Sequence, residues 1–200
     1  MTKGMKWWLN TDVRVIGKIP SKNKVVIYAI KHQSAWETVF CTDLFSMPSI
    51  VLKKALIFLP VIGLYFLRSG AIPITRDQGI NALKKMGRNA KRAVKEKRSM
   101  MIFPQGTRVS PGVSTKEKPY LPGVFFLYSQ TKVSVVPVAH NAGLLWPKNS
   151  FIKYPSRLKS KSITIKILPE IQPGLSKIEF LKKLETIIEN SSNELIKLES

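Results

Sequence analysis

Val25-Val-Ile-Tyr-Ala-Ile-Lys-His-Gln-Ser-Ala-Trp-Glu-Thr-Val-Phe40 (VVIYAIKHQSAWETVF) carries the chain from a strand into a helix. The run Val25 to Ile30 is apolar and rich in β-branched residues, the signature of a buried strand. Ser34-Ala-Trp-Glu37 has the S-x-x-E spacing of a capping box, which predicts a helix from about Ser34 to Phe45. Between the two lie His32, one of only two histidines in the chain, and a carboxylate five residues on. His32 has two readings, a structural residue ahead of a helix or the base of an active site. Glu37 likewise reads as a cap or as the base's partner. The two readings compete, because a carboxylate turned to the helix N-terminus is turned away from the imidazole.

Working outward, strand-like and helix-like segments alternate. A short strand is predicted over Ala71 to Thr75, then a helix from Asp77 to about Arg98 with Ile80, Leu83, Met86, Ala90 and Val94 inward. Met100 to Phe103 reads as a buried strand ended by Pro104, and residues 105–122, rich in Gly, Pro, Ser and Lys, as a long loop. A short helix over Gly123 to Gln130 and a strand over Val133 to Ala139 follow, with Pro137 near the strand's end or at a bulge. Ile163 to Leu168 alternates as an outer strand. Ser176 and Glu179 form a capping box opening an amphipathic helix to about residue 198, with Leu181, Leu184, Ile187, Ile188, Leu195 and Leu198 inward. This order predicts one α/β domain over residues 1–200, with a mostly parallel central sheet flanked by helices. Sites in such sheets form at the carboxyl ends of strands. His32, Arg76, the loop after Phe103 and His140-Asn141 each follow a predicted strand.

Composition narrows the chemistry. An apolar fraction of 44% supports a sizeable core. One cysteine, Cys41, permits no internal disulfide and reads as a small buried filler; with two histidines in the whole chain, no metal site is expected. A net charge of +21 calls for a negative partner: nucleic acid, anionic lipid headgroups, coenzyme A or an acidic carrier protein. Much of it lies on the helix after Asp77, where Lys84, Lys85, Arg88, Lys91, Arg92, Lys95, Lys97 and Arg98 face a single acid, Glu96. No nucleic-acid recognition module accompanies these cations and no aromatics interleave with them, so nucleic acid is not the expected partner. No G-x-S-x-G elbow exists, which disfavours a covalent acyl-enzyme hydrolase. No signal peptide is visible and no run reaches the roughly 18 apolar residues of a spanning helix. The nearest run, Ala55 to Leu67, is broken by Pro60 and Gly63 and bracketed by Lys53, Lys54 and Arg68; it reads as buried core or as a hairpin dipping into one leaflet.

Four blocks in order, KHQSAWET, GAIPITR, FPQGTR and VVPVAHN, resemble the lysophospholipid acyltransferase family, more narrowly its bacterial 1-acyl-sn-glycerol-3-phosphate acyltransferases, over about residues 12–170. The resemblance implies that fold and a direct transfer. His32 would deprotonate the sn-2 hydroxyl of lysophosphatidic acid, held in orientation by Glu37, and the oxygen would attack the thioester of acyl-CoA or acyl carrier protein. Arg76 and the turn Gln105, Gly106, Thr107, Arg108 would bind the glycerol phosphate, and Pro137 and Asn141 would shape the floor. No cofactor beyond the acyl donor is implied. The place implied is the cytoplasmic face of a membrane, held peripherally on an anionic surface without a spanning helix. Four departures from the family pattern stand out. Glu37 replaces the commoner aspartate and Gln105 a glutamate; Thr75 stands where aspartate precedes the arginine, and Leu121 replaces a basic residue. The chain also starts late relative to the pattern, with Trp7, Trp8 and Leu9 as the remnant of a membrane-seating stretch, so attachment is expected to rest on charge and on residues 55–67. Two alternatives follow: a chain that binds lysolipid without turnover, and an enzyme with another lysolipid acceptor.

Overall fold

The computed structural model describes residues 11–75, 79–148, 150, 152–154, 157–160 and 162–199. Its strands are β1 (Asp12–Ile16), β2 (Ile27–Ile30), β3 (Ser49–Lys53), β4 (Ile72–Ile74), β5 (Met100–Ile102), β6 (Val135–His140) and β7 (Ser162–Ile167). They join in one sheet of order β1-β7-β6-β2-β5-β3-β4. From β6 to β4 every pairing is parallel; β7 meets β6 antiparallel and carries β1 parallel beside it. The helices are α1 (Trp36–Leu44), α2 (Ile62–Arg68), α3 (Gly79–Lys95), α4 (Gly123–Thr131), α5 (Ala142–Leu145) and α6 (Lys177–Lys197), with a 3₁₀ helix at Lys54–Phe58.

Strand periodicity sorts the side chains into two cores. Along β2, Tyr28 and Ile30 point to one face, where Phe40 of α1, Phe66 of α2 and Leu145 of α5 pack. Ile27 and Ala29 point to the other, against Met86 of α3, Leu127 of α4 and Phe180 of α6. Both faces being covered explains why the parallel strands read as unbroken apolar runs. Each fully buried Ile, Leu or Phe contributes about 1.5–3 kcal/mol.

Several expectations change. β1 and β3 were not anticipated from sequence. β7 is not an outer strand, because β1 lies outside it. Pro137 sits inside β6, between β2 and β7, rather than at its end. Its backbone faces β7 where that ladder stops: the pairing runs from Val138 onward, and the Pro137 carbonyl accepts the N–H of Leu168 beyond the strand. The missing N–H therefore falls where β7 supplies no partner. Ile80 is 68% exposed rather than inward, and Gly87 and Ala93 are buried instead. In α6 the Ser176–Glu179 capping box forms in full. Phe180 is its largest fully buried side chain, while Leu198 lies past the helix end and is exposed.

The apolar run 55–67 divides. Ile57 and Phe66 pack inward, but Leu56, Phe58, Leu59, Val61, Leu64 and Leu67 are exposed. A Cβ at Gly63 would stand 1.9 Å from the Ile57 carbonyl oxygen, so glycine is what lets α2 close onto the 3₁₀ helix. Among the described residues, no helix is long and apolar enough to cross a membrane.

Candidate active site

β2 delivers Lys31 and His32 to the carboxyl end of the sheet, and the backbone there is pinned. The Lys31 N–H donates to Val138 O and its carbonyl accepts from His140 Nε2 at 2.7 Å; the His32 carbonyl accepts from the Val109 N–H at 2.7 Å. The imidazole of His32 stacks on Phe103, with ring centroids 3.9 Å apart.

Nδ1 of His32 lies 2.8 Å from Oε1 of Glu37, a fully buried carboxylate. The same carboxylate accepts the backbone N–H groups of Gln33 and Ser34, at 2.8 Å each to Oε1. The expected competition between cap and dyad does not arise. Glu37 reaches back to N–H groups ahead of its helix, and the imidazole sits beside them. The other half of a capping box is absent, since Ser34 Oγ accepts from Trp36 N–H and no side chain caps α1. A carboxylate holding two backbone donors is an acceptor, so Nδ1 carries the proton and Nε2 is left as the ring's basic atom.

Burial pushes the Glu37 carboxyl up, but the neighbouring imidazoles of His140 and His32 and the Ser34 N–H outweigh it and hold it below its usual range. His140 is also fully buried. Its Nδ1 accepts the Ala142 N–H, so Nε2 donates to Lys31 O, and burial holds its pKa below the ordinary 6.5 despite the pull of Glu37. Both groups shift downward, so the unfolded chain binds more protons than the folded one in acid, and stability rises with pH. The fold is expected to be at full stability above pH 6.5, to weaken first as His140 is forced to charge, and to weaken further below 4.5 as Glu37 takes a proton. Melting temperature against pH measures this, and His140→Gln should flatten the upper limb. A melting point indifferent to pH between 7 and 4 would contradict it.

His32 lines a cavity of about 420 Å³ at the ends of β2, β3, β4 and β5. Its walls are apolar: Ile50, Leu52, Phe66, Leu83, Met86 and Val124 among them. Among the described residues, Thr38 and Lys53 are the other polar side chains at its lining, and Gly106 lines it too. Gly106 takes φ +65°, and its N–H closes a turn onto Phe103 O at 2.9 Å. Cys41 is a fully buried thiol whose pKa burial raises well above 9.0, which fits a filler and not a nucleophile.

A family model described as Acyltransferase matches residues 12–141. The chain belongs to the acyltransferase family. The 1-acyl-sn-glycerol-3-phosphate acyltransferase of Pseudomonas aeruginosa is 36% identical over 148 residues, which cover 74% of this chain and 56% of that protein. The yeast protein of the same name, from Saccharomyces cerevisiae, is 29% identical over 72% of this chain and 48% of its own length. The chain thus spans about half the length of these curated relatives. The crystal structure of the 1-acyl-sn-glycerophosphate (LPA) acyltransferase of Thermotoga maritima superimposes with a TM-score of 0.75 over 97% of this chain and 76% of that one; at 24% identity it shows a shared fold.

Within the family frame, the structure brings some expected residues together and not others. His32 and Gly106 line the cavity, and Glu37 lies buried behind the ring, hydrogen-bonded to its Nδ1. Thr107 and Arg108 are half-buried in the loop that docks on the His32 carbonyl through Val109, and neither lines the cavity. Gln105 is buried: Nε2 donates to Lys118 O at 2.8 Å, while Oε1 has no hydrogen-bond partner among the described residues. It braces the loop from within. Asn141 is fully buried and faces away, its Oδ1 accepting Thr164 N–H at 2.9 Å and so holding β7 to the end of β6. Arg76 and Asp77, and Trp7, Trp8 and Leu9, lie outside the described residues.

Sequence reasoning missed the support behind the histidine. Lys31 is 3% exposed, and its ammonium bonds both oxygens of Glu189 on α6 at 2.7 and 2.8 Å. Tyr120 donates its hydroxyl to the same carboxylate at 2.8 Å. Burial raises the Tyr120 phenol well above 10.0, and Glu189 raises it further, so it remains a donor. The available signal was Lys31 itself, a cation at the end of a buried strand, which demands a counter-charge.

Proposed function

We propose that the protein transfers a fatty acyl group from a thioester to the sn-2 hydroxyl of 1-acyl-sn-glycerol 3-phosphate, giving phosphatidic acid, at the cytoplasmic face of a membrane. One observation carries the reading: in a member of this family, an imidazole with its Nδ1 held by a buried carboxylate lines an apolar cavity. Nε2 takes the hydroxyl proton as the oxygen attacks the thioester carbonyl, and returns it to the departing thiolate as the tetrahedral intermediate collapses. Atoms and charge balance without a covalent enzyme intermediate. Glu37 stabilises the imidazolium formed on the way. The cavity receives an acyl chain, and the cations of Arg108 and Arg76 suit a phosphate monoester. The names of the curated relatives support lysophosphatidic acid as the acceptor.

Binding of lysolipid without turnover is the weaker reading. It rests on Gln105 in place of a glutamate, whose amide donates to Lys118 O. The deciding experiment is rescue of a bacterium whose own lysophosphatidate acyltransferase is conditionally lost, paired with an assay of the purified chain. The assay sets acyl-CoA against acyl carrier protein as donor and lysophosphatidic acid against lysophosphatidylcholine as acceptor. Growth and phosphatidic acid formation are expected. Saturable lysolipid binding without product would overturn the proposal.

A further inference from the structure

The surface between β3 and β4 presents a hairpin that the chemistry above leaves unexplained. The 3₁₀ helix and α2 close tightly through Gly63, and Phe66 anchors α2 in the core. At the turn between them the chain exposes Phe58 (75%), Val61 (78%) and Leu64 (66%), flanked by Leu59 and Leu67. Val61, a β-branched residue, takes φ +62°, a conformation such residues rarely hold. A large apolar residue is thus fixed at an exposed tip with nothing of the described chain covering it.

Charge decides what covers it. No acidic residue occurs from Leu44 to Thr75, and Lys53, Lys54 and Arg68, all exposed, bracket the hairpin. A second copy of the chain is disfavoured, because each copy carries +21. A soluble acidic protein accounts for the cations and leaves the apolar tip without a role. An anionic bilayer takes both: acyl tails receive the tip and phosphates meet its flanking cations. Position agrees, since Lys53 and Leu56, at the hairpin's base, line the cavity that holds His32.

We infer that the hairpin from Lys53 to Arg68 is a wedge that enters one leaflet of an anionic membrane and sets the cavity mouth against the lipid surface. The purpose assigned to it rests on the proposed function; the binding does not.

The test labels Val61→Cys with an environment-sensitive fluorophore, Cys41 being fully buried. The full chain is added to phosphatidylcholine vesicles with and without phosphatidylglycerol. The expected result is a blue-shifted probe, quenched by lipids brominated on the acyl chain, and binding that needs the anionic lipid. Phe58→Ser, Val61→Ser and Leu64→Ser together, judged folded by an unchanged melting temperature, should weaken vesicle binding about 100-fold or more. Lys54→Gln and Arg68→Gln should each cost roughly fivefold. Wild-type binding by the triple serine variant overturns the inference, as does binding with an unshifted, unquenched probe. So does a triple variant that loses affinity for acyl carrier protein while keeping it for vesicles. Turnover is measured in parallel on a short-chain lysophosphatidic acid dispersed below micelle formation. The triple variant should keep it, which separates the wedge from the chemistry. A wild-type chain without turnover, whose vesicle binding still depends on the tip, refutes the enzyme and leaves the wedge standing.

Discussion

Replacing His32 with alanine is expected to lower kcat by roughly 10²–10⁴-fold while the protein still melts cooperatively. Among the described residues, the ring is the only imidazole on the cavity lining, and its loss leaves no other described group there able to take a proton at neutral pH. KM for the lysolipid should move little, because the contacts proposed for its phosphate lie on Arg76 and Arg108 and not on the ring. Glu37→Gln is the sharper probe of the partner. An amide keeps an acceptor for the Gln33 and Ser34 N–H groups but cannot stabilise an imidazolium by charge, so kcat should fall with modest loss of stability. Glu37→Ala would instead strand those two buried donors, at about 1–3 kcal/mol each, and confound the reading with misfolding. Undiminished turnover of His32→Ala in a phosphatidic acid assay would refute the role assigned to the ring.

The second large effect lies on the last helix. Glu189→Leu leaves the ammonium of Lys31 buried without a counter-charge and removes the acceptor of the Tyr120 hydroxyl. Breaking a buried pair from one side costs about 3–5 kcal/mol. Glu189 keeps some solvent contact, so the lower end applies, a drop of about 10 °C in Tm for a chain of this size. Lys31→Met combined with Glu189→Leu should recover most of the loss, because both charges then leave the interior together. A double variant no more stable than Glu189→Leu alone would show that the pair is not the source of the effect.

The sequence made the framework and the dyad legible, and the reasons are local. Buried parallel strands are apolar throughout, so β2, β5 and β6 announced themselves, and Ser176 and Glu179 gave the start of α6. β1 escaped because its alternating DVRVI pattern is half polar, and β3 because a short run after Pro48 merges with the apolar stretch that follows. The sheet position of β7 could not be read, since a strand's neighbours are set by pairings distant in sequence. His32 and Glu37 stand five residues apart, so spacing allowed the pair, and the resemblance carried by the four blocks chose it over a plain helix cap. Glu189 stands 158 residues from Lys31, and no local rule links them. Asn141 was misplaced for a related reason. A residue at a strand's carboxyl end can turn into the crevice or behind it, and only the position of β7 shows which.

The Lys31–Glu189 pair also fixes when the site matures during synthesis. The strand and helix that carry the dyad leave the ribosome well before α6, whose Glu189, 158 residues after Lys31, supplies the carboxylate that neutralises it. β1 must likewise wait for β7, its only strand neighbour among the described residues. A nascent chain without α6 therefore holds Lys31 without its counter-charge, and the strand end that bears His32 is completed only when that helix docks.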